Sequence, residues 1–62
     1  MTPLNEALQQ RLEAYMLRTG LHHHDVADMA GVSRRTVSML LIGNGEPTVA
    51  EGAAINSVLE AP

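Results

Sequence analysis

The chain contains no Cys, Phe, Trp or Lys, and its single aromatic residue is Tyr15. Without Cys it has neither a disulfide nor a thiolate metal site. Without Phe or Trp the core must come from Leu, Val, Ile, Ala and Met. At 62 residues that core is thin, because a domain of this size buries only about 60% of the surface its unfolded chain exposes. A second domain is excluded, so residues 1–62 are read as one domain, and little material is left to enclose a catalytic pocket. No apolar run approaches the roughly 20 residues of a membrane span, and the N-terminus has no basic region followed by an apolar stretch. The expected location is therefore the cytoplasm, with no membrane partner. What is present is ordinary for a globular chain: 45% hydrophobic and 18% charged residues, with a mean hydropathy of -0.01. These values lie outside the weakly hydrophobic, highly charged class that stays disordered.

The formal net charge of -3 disfavours a nonspecific nucleic-acid binder, but that charge is unevenly spread. Arg11 and Arg18 balance Glu6 and Glu13, and Arg34 and Arg35 balance Asp25 and Asp28. Glu46, Glu51 and Glu60 carry the whole deficit.

Thr2 before Pro3 is a helix start, since a hydroxyl accepts an orphan N–H and Pro at the first helical position loses none. Leu4, Leu8, Leu12 and Tyr15 then recur on one face of a 3.6-residue period, and Gly20 closes the run, which predicts a first helix over 3–18. A second helix is expected over 23–30, with Asp25 and Asp28 in its first turns where carboxylates suit the dipole. Gly31 interrupts it and Ser33 caps a third helix over 33–41. There Val37, Leu40 and Leu41 share an apolar face and leave Arg34, Arg35, Ser38 and Met39 toward the other. Gly43-Asn44-Gly45-Glu46-Pro47 must be a loop, with residues suited to positive φ on either side of Asn44. Thr48 and Glu51 have capping-box spacing, and Ile55, Val58 and Leu59 supply the buried stripe of a fourth helix over 49–60. No strand-like alternation occurs, so the fold class is all-α.

Two short helices joined through Ala30-Gly31-Val32-Ser33 have the residues a helix-turn-helix crossing needs: small Ala27 for close approach, Gly31 for the turn, and Val32 and Val37 in the wedge. The run DVADMAGVSRRTVSMLL, residues 25–41, resembles the helix-turn-helix of lactose-repressor-type regulators. With a full helix before it and GNGEPTVAEGAAINSVLE after it, the chain from about residue 4 to 60 resembles the lambda-repressor-like domains of phage repressors, Cro proteins and small plasmid or restriction-control regulators. The resemblance implies a compact domain of four to five helices whose third helix enters the major groove of double-stranded DNA, in a bacterial cytoplasm or nucleoid.

Carried onto this sequence, the resemblance places Arg34, Arg35, Ser38 and Met39 at base-facing positions. Arginine has a mechanism there, because its planar fork can donate to both O6 and N7 of guanine. His23, Ser33, Thr36 and Asn44 match positions that contact the phosphate backbone and so set register without reading sequence. The sequence departs from the pattern at Met16 and Leu41, where lambda-like members often carry an Arg–Glu ion pair; direct packing of Met16 on Leu41 is expected instead. With no Lys, the phosphate footprint must be small.

Arg34 and Arg35 would otherwise be a solvated basic pair, and Met39 either touches a thymine methyl or is buried at a partner surface. His22, His23 and His24 are read as a polar helix start able to add positive charge near phosphates, with no metal site, since adjacent helical residues diverge by about 100° and no further ligand has motif spacing. Ser33 is better used as a cap than as a nucleophile, so no catalytic residue, cofactor or small-molecule effector is expected. One copy is too small and too acidic to bind an operator tightly, which points to a homodimer on half-sites about one helical turn apart. Ile42, Val49, Val58 and Leu59 are the candidate dimer contacts. The second reading is a protein-interaction module of antitoxin, antirepressor or adaptor type that uses the acidic fourth helix.

Overall fold

The computed structural model describes residues 3–61, with side chains from Asn5 onward. Its four helices are α1 (Pro3–Thr19), α2 (His23–Ala30), α3 (Arg34–Leu41) and α4 (Val49–Glu60), and no strand occurs among the described residues. Thr2, expected to cap α1, lies outside the described residues, as does the side chain of Leu4.

Punctuation sets these bounds. Gly20 takes a left-handed φ of +75° and donates its N–H to the Met16 carbonyl at 2.8 Å, closing α1. At the start of α2 the Asp25 carboxylate reaches back to accept from the His22 N–H at 3.0 Å. At its end Gly31, with φ +72°, donates to the Asp28 carbonyl and Val32 donates to the Ala27 carbonyl, the paired bonds of a Schellman closure. Asp28, expected in the first turns, lies too far along α2 for that role and pairs elsewhere. Ser33 then caps α3, its Oγ accepting from the Thr36 N–H at 3.1 Å. Thr48 and Glu51 form the expected box at the start of α4: Glu51 donates its N–H to Thr48 Oγ1 at 3.1 Å, and Thr48 donates its N–H to Glu51 Oε1 at 2.9 Å.

Each helix gives one apolar stripe to a shared core: Leu12 from α1, Val26 and Ala27 from α2, Val37 and Leu40 from α3, and Ile55, Val58 and Leu59 from α4. Leu8, Tyr15, Met16, Ala30, Val32 and Leu41 pack half-buried around it. Met16 and Leu41 therefore rest on one apolar cluster where an ion pair was the alternative. No polar or charged residue is buried among those described. Val58 and Leu59, expected at a dimer surface, are instead core: they extend the Ile55 stripe at helical spacing and face inward. Ile42 and Val49 are exposed.

The loop after α3 is pressed against that helix. Asn44 and Gly45 both donate their N–H to the Met39 carbonyl, at 3.1 and 3.0 Å. Gly43 takes the left-handed φ of +82°, but Gly45 does not and is glycine for a different reason. A Cβ there would lie 2.7 Å from the Leu40 nitrogen and 2.9 Å from the Met39 carbonyl carbon. Both are backbone atoms that cannot swing aside. Gly45→Ala is therefore expected to lower stability by about 1–3 kcal/mol, the usual range for overpacking, which corresponds to roughly 4–8 °C in Tm per kcal/mol in a domain this small. Thermal unfolding followed by circular dichroism checks this; an unchanged Tm would show that the loop stands off α3.

Candidate nucleic-acid interface

The inward stripe of Val37 and Leu40 determines what α3 shows to solvent. At about 100° per residue, Arg35 and Met39 fall opposite that stripe and Arg34 and Ser38 fall to one side. Arg34 and Arg35 are exposed, while Ser38 and Met39 are half-buried. These residues, named together from sequence, lie along one polar front. Asn44 is exposed in the adjoining loop and Ser33 is exposed at the helix start. His23, half-buried, sits at the first position of α2, beside a His22 ring stacked on His24 with 5.4 Å between centroids. No group of three or more His, Cys, Asp or Glu among the described residues is arranged to hold a metal ion.

The cations differ in how they are engaged. Arg11 bonds Asn56 and pairs with Glu60 on α4, and Arg18 lies over the Tyr15 ring. Arg34 Nη2 donates to Asp28 Oδ2 at 3.2 Å. Among the described residues Arg35 has neither an ion pair nor a hydrogen bond. It borders an open cleft of about 230 Å³ between α3 and the following loop, together with Met39, Glu46 and Glu51. Along the chain Glu46, Glu51 and Glu60 all lie C-terminal to α3. In three dimensions two of those three carboxylates, Glu46 and Glu51, return to the cleft beside Arg35.

Glu51 does more than cap α4. While Oε1 accepts from the Thr48 N–H, Oε2 accepts from the Thr36 hydroxyl at 2.9 Å, and Thr36 Oγ1 is 2.8 Å from Ser33 Oγ. One chain of hydrogen bonds thus links the cap of α3 to the cap of α4. Thr36, named from sequence as a phosphate contact, is half-buried and already holds this internal partner. The backbone N–H of Thr48 and then the Thr36 hydroxyl hold the Glu51 carboxyl below the usual glutamate range, against a smaller opposing effect of burial. At the other end of α3, Gln9 on α1 donates to the free Leu41 carbonyl at 2.8 Å. Sequence reasoning missed Asp28 as the partner of Arg34, Gln9 as the partner of the Leu41 carbonyl, and the place of Glu46 at the cleft. Only the short Gly31-Val32-Ser33 connection, which brings the end of α2 beside the start of α3, could have signalled the first.

Compared with protein families, curated proteins and solved structures, the chain matches none. No helix among the described residues is long and apolar enough to cross a membrane.

The lowered Glu51 pKa has a definite sign. A carboxyl more acidic in the folded than in the unfolded state adds stability above its unfolded pKa, and that stability is lost as pH falls through the folded value. Wild-type Tm is therefore expected to fall more steeply between about pH 5 and 3 than the Tm of Glu51→Gln. Parallel Tm–pH curves for the two proteins would contradict the assigned role of Glu51.

Proposed function

We propose that the chain is a sequence-specific DNA-binding transcriptional regulator of the lambda-repressor-like class, in which α2 and α3 form a helix-turn-helix and α3 reads the major groove. The observation that carries this reading is the pair Arg34 and Arg35, both exposed on α3, with Arg35 opposite its buried stripe and Arg34 to one side of it. The resemblance of residues 25–41 to the lactose-repressor-type motif supports it, and so does the left-handed turn at Gly31 that sets α2 against α3. Arg34, Arg35, Ser38 and Met39 are assigned to base edges, and His23, Ser33 and Asn44 to the backbone. Thr36 contributes by fixing the start of α3. The protein acts in the cytoplasm as a repressor that occupies a palindromic operator as a homodimer. Ile42 and Val49, the latter 92% exposed, are the surviving candidates for the dimer contact.

A protein-interaction role has one observation in its favour. An apolar groove of about 660 Å³ runs between α1 and the start of α4, with Leu8, Val49 and Ala53 in its lining. DNA is favoured over this reading because the groove lies on other elements than the arginine pair and gives that pair no purpose.

Selection from random duplexes followed by fluorescence anisotropy tests the proposal. A selected duplex should bind with log K falling linearly in log salt, at a shallow slope of about -0.9 per phosphate neutralised. Arg34→Ala and Arg35→Ala should each lose about 1–3 kcal/mol of discrimination at one base pair. Failure to enrich any duplex, or identical affinity for selected and scrambled duplexes, would overturn it.

A further inference from the structure

The two adjacent arginines of α3 are not equivalent. Arg35 has no internal partner among the described residues, whereas Arg34 is bonded through Nη2 to Asp28 Oδ2 at 3.2 Å, across the turn between α2 and α3. Both members of that pair are well exposed, with side-chain accessibilities of 65% and 60%. Exposed pairs of this kind contribute little to stability. The pair also joins the two helices that the proposed function lays along DNA, and there a bare carboxylate would be repelled by phosphates.

Resting on the DNA-binding reading above, we propose that Asp28 is a specificity-determining positioning residue: it holds the Arg34 guanidinium at a fixed angle for one guanine, while unpartnered Arg35 adapts to its contact. The chemistry allows both bonds at once. A guanidinium carries five N–H donors in a rigid plane, and the bond to Asp28 uses one. Enough donors remain along the fork for a bidentate contact with O6 and N7 of guanine. A flexible Arg loses rotamer freedom when it settles on a base edge, and an Arg already held loses less. Asp28 therefore acts in opposite directions on two quantities. Its charge weakens attraction to every duplex, and its hold on Arg34 favours the duplex with guanine in place.

The test is a set of anisotropy titrations at one fixed salt concentration, using the selected duplex, single base-pair variants of it and a scrambled duplex. Thermal unfolding confirms that each protein is folded. Asp28→Ala should bind the scrambled duplex more tightly than wild type and lose roughly tenfold discrimination at one G·C pair, within the range of a bidentate contact. Asp28→Asn, which keeps an acceptor of the same shape, should retain part of that discrimination. Arg34→Ala should weaken scrambled-duplex binding more than Arg35→Ala, because it leaves Asp28 uncompensated. In the Arg34→Ala background, Asp28→Ala should restore nonspecific binding and change discrimination no further. If Asp28→Ala tightens binding to all duplexes equally, Asp28 only repels phosphates and the inference falls while the DNA-binding reading stands. If wild type distinguishes no duplex from any other, both fall together.

Discussion

Val37 and Leu40 of α3 are wholly buried in one cluster with Leu12, Val26 and Ile55, and the direction α3 faces depends on that burial. An isolated helix of eight residues is far below the roughly 12–15 needed for marginal stability in water. α3 therefore exists because the core holds it, and the core holds it by one stripe. Arg35, opposite that stripe, is left exposed, while Met39 beside it is half-buried under the following loop. The ends are then fixed by hydrogen bonds from other helices. Glu51 of α4 takes the Thr36 hydroxyl near the start, and Gln9 of α1 takes the Leu41 carbonyl at the finish. Gly45 lets the following loop lie directly on the α3 backbone. A small aliphatic core with no aromatic anchor thus still gives a helix with a defined orientation and an uncovered front.

The electrostatics of that front are finely balanced rather than strongly basic. Asp28 stands against Arg34, and Glu46 and Glu51 border the cleft beside Arg35. Glu51 keeps its charge easily because its oxygens already accept hydrogen bonds, so its carboxylate is partly occupied before any ligand arrives. In the proposed function such a surface would gain little from indiscriminate attraction to phosphates. Its affinity would have to come from matched base contacts and from pairing two copies, which fits the small cation count and the exposed Ile42 and Val49.

Most of the helical framework was legible in the sequence because its boundaries are marked by residues with strong local preferences. Gly20, Gly31, Ser33 and Thr48 each act within a few positions of themselves, and the helices end where they say, with α1 one residue longer and α3 one residue shorter than expected. The polar front of α3 was legible for a related reason, since helical periodicity sorts faces without knowledge of neighbours. What was not legible depends on which residues meet across the chain. Periodicity placed Val58 and Leu59 on a buried stripe but left them open as dimer contacts too, and only the packing gives them to this chain's own core. Segment charges put Glu46 and Glu51 away from the arginines, yet the Gly43–Pro47 loop folds back and returns them. Gly45 looked like a residue for positive φ, and only the packing shows that it serves a close backbone approach.

In the proposed function the exposed front of α3 is the surface that meets DNA. Amide chemical-shift mapping of the isotope-labelled protein, titrated with a selected duplex, tests it most directly. The largest shifts should fall among residues 33–39 and around Asn44, with residues 53–60 of α4 little changed. Shifts concentrated along the groove between α1 and α4, with Arg34 and Arg35 unmoved, would contradict it.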